Sequence, residues 1–128
     1  MKEKILITVK TYPTLSKKYA ELVCTAGVNE NGDWRRIFPV RFRRLLDDKK
    51  YKKYQWIEAD IEKSSADNRP ESYSIANETS LKILGGPLST SHKWQARKEA
   101  FFDKVTRHND LSGLIADAHE NKRSLALF

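Results

Sequence analysis

Gln55-Trp56-Ile57-Glu58-Ala59-Asp60-Ile61-Glu62 sets the fold class of this chain. Ile57, Ala59 and Ile61 alternate with Glu58, Asp60 and Glu62, the period-two pattern of a strand with one face in a core and the other in water. The octet therefore predicts a sheet with an apolar inner face.

Upstream, Trp34 to Val40 is rich in aromatic and branched residues, and Glu21 to Val28 sets Leu22, Cys24, Ala26 and Val28 on one face. Both read as strands. Asn29, Asn31 and Gly32 between them carry turn chemistry, so the pair is predicted to form an antiparallel hairpin. Pro39 has no amide hydrogen to donate and places the end of that strand at a sheet edge or bulge. Lys4 to Thr11 alternates Ile5, Ile7 and Val9 with Lys4, Thr8 and Lys10; Leu6 breaks the alternation, and Pro13 ends the strand. Between Arg41 and Tyr54 the strand period fades, which predicts a short helical turn running into an exposed basic loop.

Downstream, SSADNRPES (64–72) is a polar loop, followed by two short strands around Tyr73 to Ile75 and Ser80 to Leu84. Gly85, Gly86 and Pro87 halt the sheet. The period then changes: Trp94, Phe101, Phe102 and Val105 recur at helical spacing, predicting a helix from His92 to Arg107 with Ser91 as its N-cap. Asn109 or Asp110 caps a second helix whose apolar stripe is Leu111, Leu114, Ile115 and Ala118. The two helices are expected to form a hairpin packed on the sheet, and SLALF (124–128) to form a terminal strand. The chain thus reads as a single α+β domain over 1–128, mainly β to residue 86 and helical thereafter.

At 128 residues, 39% hydrophobic and 32% charged, the chain is long enough to bury one core without staples. Its apolar runs fall short of the roughly 20 residues that cross a bilayer, and MKEKILITVKTY alternates where a signal peptide would be unbroken. A cytoplasmic protein without membrane association is expected. The single Cys24 excludes an internal disulfide and reads as a small buried hydrophobe.

Lys and Arg total 24 against 17 Asp and Glu, a net charge of +7, and such an excess favours polyanionic partners. It is also local. Between Asp33 and Tyr54 lie nine cations, Arg35, Arg36, Arg41, Arg43, Arg44, Lys49, Lys50, Lys52 and Lys53, against Asp33, Asp47 and Asp48. The rest of the chain is close to balanced. Trp34, Phe38, Phe42, Tyr51, Tyr54 and Trp56 are interleaved with those cations, and aromatic faces beside guanidinium groups are what single-stranded bases stack upon. The competing reading puts Trp34, Phe38 and Phe42 in the core with the arginines snorkelling outward.

Catalytic machinery is sparse. His92, His108 and His119 are dispersed and lack the spacing of a helical metal pair; Gly85 and Gly86 lead into Pro87 without the lysine of a phosphate loop. Asp67, Arg69 and Glu71 form one grouping able to hold a divalent ion or a phosphate, or simply a loop held by its own ion pairs. No cofactor or metal is expected.

The phrases TVKTYP, ELVCTAG, DWRRIFPVRFRRL, KYQWIEADIEK and DNRPESY, in this order along the chain, resemble the dual OB-containing domain family, a group of little-characterised bacterial proteins. The resemblance implies an OB-like small antiparallel β-barrel, a nucleic-acid role and, for some members, genomic settings associated with defence against mobile elements. Members are usually longer, so the resemblance implies that this chain supplies the first barrel and at most part of a second.

Charge and aromatics together predict a non-catalytic nucleic-acid-binding module whose partner is single-stranded DNA or RNA. Arg35, Arg36, Arg41, Arg43 and Arg44 would contact phosphates, Trp34 or Phe38 would stack on bases, and Lys49, Lys50, Lys52 and Lys53 would extend the electrostatic footprint. Two readings from other classes stand beside it. One is an adaptor or subunit docking on a protein partner through SLALF and the basic patch; the other is a metal-dependent nuclease using Asp67 and Glu71.

Overall fold

A computed structural model of the chain describes residues 1–10, 23–40, 50–107 and 110–120. Five strands, β1 (Lys2–Lys10), β2 (Val23–Asn29), β3 (Trp34–Val40), β4 (Trp56–Lys63) and β5 (Ser72–Ile83), precede α1 (Ser91–Arg97), a π-helical turn (Lys98–Phe102) and α2 (Leu111–His119). The strands follow the order β1-β2-β3-β5-β4, and β4 returns to β1, so the sheet closes in a ring. Among the described residues no helix is long and apolar enough to cross a membrane.

All of the octet but its first residue lies in β4, which runs on to Lys63. Ile57, Ala59 and Ile61 are buried inside the ring with Ile5, Ile7, Ile37, Val40 and Leu81, and Ile5 sits opposite Ile57 in the β1–β4 ladder. β2 and β3 pair antiparallel around a turn at Asn29–Asp33, as their sequences predict. Gly32 takes a left-handed φ of 84° there, and a side chain on it would collide with the Lys104 backbone.

Three expectations are corrected. The two short strands after the polar loop are one continuous strand, β5, with its irregularities taken up as register shifts against β4. The ring is not wholly antiparallel: β3 meets β5 in parallel, Arg36 opposite Ser72 and Ile37 opposite Tyr73. Among the described residues the helices form no hairpin on the sheet. The first is shorter than its apolar spacing implies and widens into the π-helical turn, while α2, capped as expected by Asp110 accepting from the Gly113 amide at 3.1 Å, buries none of its residues. What packs on the ring is the π-helical turn and the bend after it. Phe101 and Val105 join Leu6 and Val28 in a second core on the outside of the strands, flanked by Trp34, Tyr54, Trp56 and Phe102.

That second core explains Leu6. β1 is covered by the ring interior on one side and by Phe101 and Val105 on the other, so Ile5, Leu6 and Ile7 are all fully buried and alternation lapses where both faces are apolar.

Two substitutions separate these layers. Ile61→Ala, inside the ring, should lower unfolding free energy by about 2–5 kcal/mol, whereas Leu111→Ala, 58% exposed on α2, should stay within about 0.5 kcal/mol of wild type. Urea unfolding followed by circular dichroism measures both.

Candidate functional site

β3 carries the described part of the basic, aromatic stretch, and its alternation divides the residues between two environments. Arg35 turns toward one end of the ring interior. Its Nε donates to Glu3 Oε1 at 2.9 Å, the same oxygen takes Asn29 Nδ2 at 2.9 Å, and its guanidinium lies 4.7 Å from the centroid of the Tyr73 ring. With 16% of its side chain exposed, Arg35 ties β1, β3 and β5 together, and with Trp34 it lines a cleft of about 270 Å³.

Trp34 is half-buried against the outer core, its ring meeting Phe101 edge-on at 5.5 Å. The indole Nε1 is buried without a hydrogen-bond partner among the described residues. Tyr51 and Trp56, the latter half-buried against the outer core, are structural as well. Tyr51 is 1% exposed within the ring core, and its hydroxyl meets the Thr25 hydroxyl at 2.5 Å.

Arg36 and Phe38 point outward. Phe38 is 41% exposed, and the Arg36 guanidinium lies 5.8 Å from its ring centroid. Beside them opens a cleft of about 440 Å³, lined by Arg36, Phe38, Pro39, Ser64, Asp67 and Tyr73 among others, with the β4–β5 loop as its far wall. Arg36 reaches across to that loop, its Nη1 donating to Asp67 Oδ2 at 2.9 Å.

Asp67 collects more than this one donor. Arg69 donates from Nη2 at 2.5 Å and from its backbone amide at 3.0 Å, and the Ser72 hydroxyl donates at 2.9 Å. The Arg69 hydrogen bonds, side chain first, hold the Asp67 carboxyl well below the ordinary aspartate value; desolvation opposes them, and the Ser72 hydrogen bond adds to them. A carboxylate engaged by two guanidinium groups is a poor cation ligand, and no His, Cys, Asp and Glu cluster fit for a metal occurs among the described residues. Glu71, the other carboxylate of that grouping, is buried.

The lysines behave differently. Lys52 and Lys53 are exposed and Lys50 is half-buried on the stretch that enters β4. Lys10, at the end of β1, belongs with them: its Nζ lies 3.4 Å from the Tyr51 carbonyl oxygen, and burial, then the like charge of Lys53, lower its amine from the ordinary 10.5. Sequence reading missed Lys10 because it is remote in the chain; β1 brings it to the same end of the ring. Arg41, Arg43, Arg44 and Lys49, and with them Phe42, lie outside the described residues, as does SLALF.

A family model described as a domain of unknown function, DUF8758, matches residues 1–103, and the chain belongs to that family. The matched span takes in the ring and ends one residue after the π-helical turn that covers its outer face. No curated protein gives a significant match. No solved structure does either.

Two titrations check the geometry. Burial pushes the Tyr51 hydroxyl from 10.0 up to about 12, against the opposing effect of the Thr25 hydrogen bond. Its contribution to stability should be fully present below pH 10 and fade between pH 10 and about 12, with one tyrosine ionising late in the ultraviolet tyrosinate absorbance and missing from Tyr51→Phe. Asp67 works in the opposite direction: its folded value is depressed, so its contribution is present above the ordinary 3.8 and lost as pH falls below it. Acid unfolding of Asp67→Asn should therefore begin from a less stable protein and show a shallower loss below pH 3.8.

Proposed function

We propose that this chain is a non-catalytic nucleic-acid-binding module on an OB-like ring, with single-stranded DNA or RNA as its partner. A five-stranded ring in the order β1-β2-β3-β5-β4 supports the OB reading, and OB barrels take oligonucleotides on the outer face of strands 2 and 3, beside the loop joining strands 4 and 5. The observation that carries the proposal is the coincidence of that place with the exposed Phe38, the Arg36 guanidinium beside it and the cleft against the β4–β5 loop.

Roles follow from exposure and pairing. Phe38 is the stacking residue, since Trp34 is committed to Phe101. Arg36, anchored by Asp67, frames the cleft as a planar donor. Lys52 and Lys53, with the adjoining segment that holds Arg41, Arg43, Arg44 and Lys49, attract and track the phosphates. Arg35 is removed from the contact set by its bond to Glu3.

The test is fluorescence anisotropy with labelled single- and double-stranded oligonucleotides at two salt concentrations, with and without magnesium. Salt-sensitive binding to single strands without magnesium and without scission is expected. Phe38→Ala should weaken it by about 1–3 kcal/mol, and replacing Lys52 and Lys53 by Ala should make the logarithmic salt slope shallower by about 1.4. Magnesium-dependent cleavage would turn the reading toward a nuclease, and no binding at low salt would turn it toward a protein adaptor.

A further inference from the structure

Trp94 is read from the sequence as part of an apolar helix stripe, yet it is 47% exposed and belongs to neither core. Its presentation is built. His92, Lys93 and Trp94 all take left-handed backbone angles, with φ of 53°, 56° and 65°, a conformation that side-chain-bearing L-residues resist. Backbone strain of this kind persists where surrounding contacts over-determine it, and it gathers at ligand-contacting positions.

The support beneath the indole is continuous. The Arg97 guanidinium lies 5.3 Å from the Trp94 ring and 3.9 Å from the Tyr54 ring, and its Nε donates to the Leu88 carbonyl at 3.0 Å. The Leu88 amide in turn donates to the Tyr54 carbonyl at 2.7 Å. Tyr54, Arg97 and Trp94 thus form a cation–aromatic stack fixed to the stretch that carries Lys52 and Lys53, both exposed. On the helix side, His92, Lys93 and Lys98 line a cleft of about 350 Å³ together with Glu99 and Asp103. Glu99 accepts from the Gln95 amide at 2.9 Å, and Asp103 lies 4.0 Å from Arg107.

We propose that Trp94 is a second base-stacking position, separate from the Phe38 cleft, at which one base of a single strand lies on the indole while flanking phosphates face Lys93 and Lys98 on one side and Lys52 and Lys53 on the other. The inference rests on the nucleic-acid reading above and extends its track beyond the ring to α1. An exposed tryptophan with a guanidinium behind it offers the strongest aromatic face on the described surface, and stacking of this type accepts any base.

The full chain is titrated with a labelled oligothymidylate, following label anisotropy and intrinsic tryptophan emission together. Wild type should bind with marked quenching, because Trp94 is more exposed than the half-buried Trp34 and Trp56. Trp94→Ala should bind about 5- to 150-fold more weakly, and Trp94→Phe, which restores a ring, should recover most of the affinity while losing most of the quenching. Wild-type binding that Trp94→Ala matches in affinity and quenching overturns this inference and leaves the Phe38 site standing. Absence of any wild-type binding at low salt overturns both.

Discussion

A five-stranded sheet becomes a ring only if its last seam holds, and here that seam is short: a parallel contact in which Arg36 meets Ser72 and Ile37 meets Tyr73. Side chains reinforce what the ladder supplies. Outside, Asp67 accepts from Arg36 of β3 and from Ser72 of β5, so one carboxylate spans the junction. Inside, Arg35 of β3 lies over Tyr73 of β5 while bonded to Glu3 of β1. The core of isoleucines from β1, β3 and β4 exists as an enclosed volume because these contacts keep β3 against β5.

This closure divides the cations into two kinds. Arg35 and Arg36 are drawn into ion pairs by the geometry of the seam, and a fixed guanidinium–carboxylate pair contributes shape and planar donors more than free charge. Lys52 and Lys53, on the stretch entering β4, are exposed, and Lys10 of β1, partly buried, feels the like charge of Lys53 at the same end of the ring. Under the proposed function, a nucleic acid would sense the lysines at a distance and the Arg36–Phe38 cleft at contact. Asp67 also gives the β4–β5 loop its form, because Arg36, Arg69 and Ser72 all donate to its carboxylate.

The elements were legible wherever the period was clean. β4 announces itself through Ile57, Ala59 and Ile61, and the β2–β3 hairpin through its flanking strands and Gly32. β5 was harder, because its middle, Ala76 to Thr79, is exposed and reads as a break between two strands. The first helix misled for a related reason: Trp94, Phe101, Phe102 and Val105 share a helical spacing, but only the last three pack against the outer core. Spacing records that residues are apolar, and it does not record which neighbour receives them. Of the candidate contacts, Phe38 remained exposed, whereas Trp34, Tyr51 and Arg35 were absorbed by packing and pairing.

By itself the sequence determined that this is an α+β chain with strands before helices, and that its positive charge is concentrated around β3 and the segment after it. Those properties are local, written in alternation, turn residues and composition. Only the tertiary structure decided that the strands close in a ring with one parallel seam, that Leu6 lies between two cores, and that Arg35 and Arg36 meet Glu3 and Asp67. Each of these joins residues far apart in the chain, and the partner of a charge or an aromatic face is set by distance in space, which no single stretch of sequence contains.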